Sequence, residues 1–178
     1  VFEHFTHDAS VLPMAFLPMW QRQFRRMRAK LDRSGRLKNL PDAKERQRIK
    51  DRITQEGALS TQAFDTKIEG PKEMWSRPPH KRALDYMWFA GELATCHRVN
   101  FTKFYNLPER VFPEALRSVE MSDDAQVEWL CTAALDRMSF GTPGEIHRVW
   151  DAVGRDEVQH WQTCATDLVP VQIQTAQG

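Results

Sequence analysis

The sequence predicts a mostly α-helical protein built of tandem winged helix-turn-helix units with a small β-hairpin wing. Apolar residues recur at spacings of three and four along several segments, which is the period of an amphipathic helix. Between residues 42 and 108, three helical segments are followed by a hairpin pattern, and this is the order of a winged helix. We expect a helical N-terminal segment with a linker at 1–41, a winged-helix unit at 42–108, and a second winged-helix-like unit, truncated in its wing, at 109–178.

The N-terminal segment opens with an apolar and aromatic stretch, residues 1–20, which needs a partner surface to cover it. The first residue is Val1 rather than Met, and residues 2–5 have the composition of a packed element, so we expect a piece of a longer protein. A helix is predicted over 21–31, because apolar residues recur at helical spacing, namely Trp20, Phe24, Met27 and Leu31. Ser, Gly, Asn and Pro residues between 34 and 41 predict a linker.

The unit at 42–108 begins with a helix that Asp42 caps and Gly57 ends, with Ile49 and Ile53 facing inward. Ser60 is predicted to cap a short second helix over 61–64.

A loop with Gly70 and Pro71 precedes a third helix over 80–91, which the pair Pro78-Pro79 opens. A hairpin follows, with strands over 93–99 and 101–105 and a turn at Asn100.

The unit at 109–178 shows three more helical segments. We expect the first over 123–138, the second over 143–151 with Thr142 as its cap and Pro143 at its first position, and the third over 155–167. The alternating pattern at 169–173 predicts a strand.

Charge is distributed unevenly along the chain. Residues 22–52 carry 13 Lys and Arg against 4 acids, whereas residues 109–178 carry 5 against 12. A basic surface of this kind suits a polyanion, because each neutralised phosphate releases counterions. It equally suits a solvated helix face that keeps the protein in solution.

The sequence contains no clear motif for several classes of chemistry. The three cysteines, Cys96, Cys131 and Cys164, are odd in number and far apart, which argues against a disulfide framework and fits a reducing cytoplasm. His4 and His7, flanked by Glu3 and Asp8, could share one helical face, but two histidines without a third ligand make a weak metal signal, and polar packing explains them as well. The sequence has no Walker, dinucleotide or Gly-x-Ser-x-Gly motif and no apolar run long enough to span a membrane. We therefore expect no metal, no cofactor and no membrane association.

The start of the third helix carries the argument for DNA. In helix-turn-helix proteins this region meets base edges or phosphates, and here it is basic and follows two prolines. The predicted DNA contacts are Arg77, His80, Lys81 and Arg82 on this helix, Arg98 and Lys103 on the hairpin, and Arg25 and Arg26 on the first helix, which offers a rival surface. Winged helices also serve as protein-interaction modules, and that alternative stays open. The acidic unit at 109–178 is expected to pack rather than to touch phosphate.

Three segments resemble a known family: GALSTQAFDTKIEG, MWSRPPHKRALDYMWFAGEL and HRVNFTKFYNLPERVFP. They are similar to the bacterial winged-helix crosslink-repair DNA glycosylases, the YcaQ-like family, and the opening EHFTHDASVLP is similar to that family's N-terminal signature. The likeness extends over essentially the whole chain and is tightest from Gly57 to Pro113.

The resemblance implies a hydrolase that cleaves the N-glycosidic bond of alkylated or crosslinked purines. In the family a Gln-x-Gln or Gln-x-Asp motif activates water, upstream of the segment that resembles residues 3–13, so we expect no catalytic residue in this chain. Residues 21–23 and 172–174 also read Gln-x-Gln, but neither occupies the family position. Glu3 and His7 match marked family positions and either line the lesion pocket or support a neighbouring unit through hydrogen bonds.

We therefore interpret the chain as the DNA-binding middle region of a DNA repair glycosylase that binds double-stranded DNA as a monomer. The alternative is the DNA-binding module of a transcription regulator.

Overall fold

The computed structural model describes residues 1–33, 42–65 and 77–174. The described chain is mostly helical, as the sequence predicts, and it has two small antiparallel sheets. It forms two compact units, one of Val1–Phe5 with Ala9–Glu120, the other of Thr6–Asp8 with Met121–Gly178. The predicted linker at 34–41 and the predicted loop around Gly70 and Pro71 lie outside the described residues.

The first unit starts with an antiparallel pair of strands, β1 (Phe2–Phe5) and β2 (Ala9–Leu12). Burial alternates along β1, so that Phe2 and His4 face inward while Glu3 faces the other side. The expectation that Glu3, His4, His7 and Asp8 share a helical face is therefore wrong. Apolar residues spaced two apart over only four positions fit a strand, and the segment is too short to establish a helical period.

The predicted helix over 21–31 is confirmed and is longer at both ends. A 3₁₀ turn, Met14–Phe16, leads into α1 (Leu17–Arg33). The aromatic and sulfur side chains predicted to face inward, Trp20, Phe24 and Met27, are buried.

The next helix, α2 (Ala43–Glu56), agrees with the prediction at both ends. The Asp42 carboxylate accepts a hydrogen bond from the Glu45 amide at 2.8 Å, which satisfies one free donor of the first turn. Gly57 ends the helix at φ +89°, a value that side-chain-bearing residues rarely adopt. The Arg110 guanidinium donates to the carbonyls of Ile53 and Thr54, at 3.1 and 2.9 Å, near this C-terminus.

The predicted second helix is a single 3₁₀ turn. A short strand, β3 (Leu59–Ser60), precedes it, and the turn itself spans Thr61–Ala63. Ser60 is its N-cap, as predicted, and accepts from the Gln62 amide at 3.2 Å.

The third helix and the hairpin are confirmed. Helix α3 (Pro79–Phe89) is followed by β4 (Ala94–Val99) and β5 (Thr102–Asn106), and the three strands of this sheet are ordered β3-β5-β4. The core of the unit joins α2, α3 and this sheet, with completely or nearly completely buried side chains that include Ile53, Leu84, Met87, Leu93 and Tyr105.

Two short helices, α4 (Pro108–Val111) and α5 (Glu114–Arg117), were not predicted. Four residues are about one helical turn, so they carry no periodic pattern that a sequence could show.

Up to residue 174, the second unit contains three helices, α6 (Asp123–Met138), α7 (Pro143–Trp150) and α8 (Arg155–Cys164). Thr142 and Glu145 form a reciprocal capping box at the start of α7, which confirms the predicted cap. Inside the unit, the Trp150 indole nitrogen donates to the Leu130 carbonyl at 2.9 Å.

The strand predicted over 169–173 is wrong. The segment forms no strand, and Val169, Val171 and Ile173 are 79%, 66% and 53% exposed. Alternation describes an extended chain, but a strand also needs a partner with free backbone groups. The part of the second unit that the structure describes is helical and offers no such edge.

Candidate nucleic-acid interface

The start of α3 presents two cations to solvent. Lys81 is exposed and Arg82 is half-buried, and neither side chain forms an ion pair with any other described residue. Pro78 occupies the N-cap position and Pro79 the first turn, where a missing amide hydrogen costs nothing. The amides of Lys81 and Arg82 donate to the Pro78 carbonyl, at 3.1 and 3.3 Å. At this end of α3 it is therefore the positive side chains that favour an anion.

Arg77 and His80, from the same predicted cluster, are engaged within the protein. Arg77 forms an ion pair with Asp85, whose pKa burial raises above its usual value. The His80 ring is 5% exposed and stacks on Phe64 at a centroid distance of 6.1 Å. Burial also lowers the pKa of His80, so the neutral form of this ring is favoured.

The two cations of the β4–β5 hairpin meet a carboxylate on β1. Arg98 donates through Nε and Nη2 to the two Glu3 oxygens, each at 2.7 Å, and Lys103 Nζ lies 3.4 Å from Glu3 Oε2. The Arg98 hydrogen bonds are the main reason that the pKa of Glu3 is lowered. The structure thus brings three sequence-predicted residues together, although the sequence assigned the cations to DNA and gave Glu3 either a place in the lesion pocket or a role in supporting a neighbouring unit.

Lys103 has a second partner in the ring of Trp88. Its Nζ lies 3.5 Å from the ring centroid, within the range of a cation–π interaction. Burial lowers the pKa of Lys103, while Glu3 acts in the opposite direction. The hydroxyl of the nearby Tyr105 is also buried, and its pKa rises to about 12.

The remaining predicted positions lie on α1 and in the connection between β1 and β2. On α1, within the basic residues 22–52, Arg25 is exposed and Arg26 is half-buried. His7, in the connection between the strands, is exposed.

The two Gln-x-Gln segments have different surroundings. Gln23 is fully buried, and its amide nitrogen donates to the Phe5 carbonyl at 3.3 Å, while Gln21 donates to Leu17 within its own helix. Gln172 and Gln174 are exposed.

A buried histidine network was missed by sequence reasoning. His4 is 1% exposed, receives a hydrogen bond at Nδ1 from the Trp20 indole nitrogen at 3.0 Å, and lies with Nε2 3.2 Å from the Phe89 carbonyl. These partners require a neutral ring with its proton on Nε2. Burial lowers the pKa of His4 to about 4. The period-two pattern of β1 could have indicated that His4 shares the inward face with Phe2.

The second unit carries an open, acidic groove of about 950 Å³. Six carboxylates line it: Asp123, Asp124, Glu128, Asp156, Glu157 and Asp167. Such a surface repels phosphate at neutral pH.

Residues 1–33, 42–65 and 77–174 contain neither a metal site nor a membrane-spanning helix. No group of three or more His, Cys, Asp or Glu side chains in these ranges could hold a metal ion. No helix in the same ranges has both the length and the apolar character that a membrane span requires.

Comparison with known proteins defines the class. The sequence matches, over residues 1–178, the family described as DNA glycosylase AlkZ-like. The protein is thus of the DNA-repair glycosylase class, which acts on DNA. The chain belongs to the AlkZ-like DNA glycosylase family, which confirms the resemblance drawn from its sequence motifs. No solved structure matches the chain.

Proposed function

We propose that this chain holds double-stranded DNA for a repair glycosylase of alkylated or crosslinked bases, and that it does so as a monomer. The observation that carries the proposal is the exposed basic start of α3 in a chain of a DNA glycosylase family. Within this proposal Lys81 and Arg82 contact phosphates, since both lack an ion-pair partner in the described chain.

We propose further that residues 42–108 form a winged helix. Three features support this: the order α2, β3, α3, β4, β5, the sheet order β3-β5-β4, and a hairpin directly after α3. In such a unit the last helix approaches the DNA groove and the hairpin lies along the backbone. The acidic groove lined by residues between 123 and 167 is not expected to contact phosphate.

The proposal also assigns no catalytic residue to this chain. Gln23 already uses its amide nitrogen inside the core, and the second Gln-x-Gln segment is exposed. A water-activating group must hold its water against the sugar, and these surroundings favour neither segment for that role.

A DNA titration tests which basic surface holds the backbone. In a fluorescence anisotropy assay, Lys81→Ala and Arg82→Ala should each weaken binding about equally on unrelated duplexes. Each should also flatten the log–log salt dependence by about 0.9, the share of one lost phosphate contact. Both positions are at least partly exposed, so unfolding free energies should change by no more than about 0.5 kcal/mol.

Matched changes on α1 provide the control. If Arg25→Ala and Arg26→Ala abolish binding while Lys81→Ala and Arg82→Ala leave affinity and salt dependence unchanged, the DNA lies along α1 and the assignment to α3 is refuted. Strong preference for one palindromic site would instead favour a transcription regulator. Absence of binding even at low salt would refute the proposal that this chain holds DNA.

A further inference from the structure

The tip of the β4–β5 hairpin exposes an aromatic side chain on an unfavourable backbone. Phe101 is 92% exposed, and the two residues of the turn, Asn100 and Phe101, have φ values of +46° and +63°. Turns with two positive φ values favour Asn followed by Gly. Asn100 fits this preference, whereas Phe101 occupies the position where Gly is expected. An aromatic ring here adds about 1 kcal/mol of backbone strain and leaves its apolar surface in water.

The tip is also held in place. Arg98 Nη1 donates to the Phe101 carbonyl at 2.7 Å, while Nε and Nη2 of the same guanidinium bind Glu3. One planar side chain therefore connects the turn to β1 within the same unit. Because the guanidinium is planar and its donors point in fixed directions, it restricts where the Phe101 ring can project.

We propose that Phe101 stacks on a nucleobase at an opened or distorted step of duplex DNA. This inference rests on the proposed function, namely that this chain contacts DNA. Strain and an exposed ring that contribute nothing to folding indicate a contact made outside the chain. The family and the local charge both indicate that this outside partner is DNA. Residues 93–106 contain Arg98 and Lys103 and no acid, and Glu3 neutralises only one of these two charges.

The shape of the tip suits this partner. Phe101 lies at the tip of a two-residue turn, so its ring can reach into the minor groove, which is about 6 Å wide, without the two strands entering that groove. Apolar side chains that reach base steps there separate the stack, and this costs least where the duplex is already damaged. Arg98 is then a positioning residue that orients Phe101, and it does not contact phosphate.

The test compares two duplexes of the same sequence, one intact and one with a single-nucleotide gap beside a 2-aminopurine base. For the 178-residue chain, Phe101→Ala should weaken binding to the gapped duplex about 5- to 150-fold, which corresponds to the stacking of one base. Affinity for the intact duplex should change less than about twofold, since stacking needs an exposed base face. Phe101→Trp should keep the gapped-duplex affinity and the change in 2-aminopurine fluorescence, while Phe101→Ala loses that change.

Phe140 provides a matched control, because it is a 55% exposed phenylalanine in the second unit. Phe140→Ala should leave both affinities unchanged, and thermal unfolding should show that both alanine variants fold. Equal gapped-duplex affinity for Phe101→Ala and the unsubstituted chain would overturn the stacking proposal alone, as would an equal loss in Phe140→Ala. Failure of the unsubstituted chain to bind either duplex would refute the proposed function, and the stacking proposal with it.

Arg98→Ala separates its two possible roles. If Arg98 positions Phe101, this variant loses the preference for the gapped duplex while its salt dependence stays unchanged. If the salt dependence flattens by about 0.9, Arg98 contacts a phosphate, and its positioning role is refuted.

Discussion

The buried His4 ring should make the stability of the protein depend on pH in a defined window. Its folded-state pKa is about 4, against an ordinary value of 6.5, because burial penalises the charged ring. Between these two values the unfolded chain binds a proton that the folded protein excludes. The contribution of His4 to stability is therefore complete above about pH 6.5, falls as the pH decreases towards 4, and is level below that.

The expected size follows from the shift. A difference of one pKa unit is worth about 1.4 kcal/mol, so the full shift corresponds to about 3 kcal/mol of unfolding free energy. His4 is 1% exposed, so water does not screen the charged form. Protonation at Nδ1 would also set a donor against the Trp20 N–H, which already points at that nitrogen.

Urea unfolding followed by circular dichroism, at several pH values between about 7 and 4, measures this dependence. The His4→Gln variant has no titrating group at this position. The difference in unfolding free energy, unsubstituted protein minus variant, should therefore decrease by about 3 kcal/mol as the pH falls from about 7 to 4. Groups that titrate equally in both proteins cancel in this difference.

The neighbouring Glu3 is the control because its window differs. Its pKa is lowered from 4.5, chiefly by the Arg98 hydrogen bonds, so its contribution is present above 4.5 and is lost only as the pH falls below that value. The corresponding difference for Glu3→Gln should therefore be level from about pH 7 to 5. A level difference for His4→Gln over the same range would refute the account of a neutral, buried ring.

Two further predictions concern glycine positions and catalysis. Gly91→Ala should lower the free energy of unfolding by about 2–4 kcal/mol, because φ is +72° and an added Cβ would lie 2.6 Å from the Phe24 ring. Gly57→Ala should lower it by only about 1–2 kcal/mol, because φ is +89° but an added Cβ would have no atom within 4 Å. Equal losses in urea unfolding would contradict the packing argument. If this chain has no catalytic residue, as we propose, it should release no base from duplex DNA containing 7-methylguanine, measured as strand cleavage after alkaline heating. Cleavage that depends on the chain would contradict that proposal.

Much of the fold was predictable because its signals are local. The caps at Asp42 and Thr142 and the turn at Asn100 each depend on residues within a few positions along the chain. Helical periodicity located α1, α2 and α3 for the same reason. The strand predicted over 169–173 failed because alternation is local, whereas strand pairing needs a partner from elsewhere.

The candidate site was only partly predictable. The basic start of α3 could be recognised from Lys81 and Arg82, because a helix start is set by nearby prolines and the two residues are adjacent along the chain. The partners of Glu3 could not be recognised, since Arg98 is 95 residues away along the chain.

The sequence by itself determined the family, the helices and the uneven charge, because motifs, periodicity and composition are properties of neighbouring residues. Only the tertiary structure decided which charges are already paired and which side chains remain for a partner. Glu3 engages Arg98 and Lys103, whereas Phe101 stays exposed at the hairpin tip. Ion pairing and burial depend on distances between distant segments, and those distances exist only once β1 and the β4–β5 hairpin lie side by side.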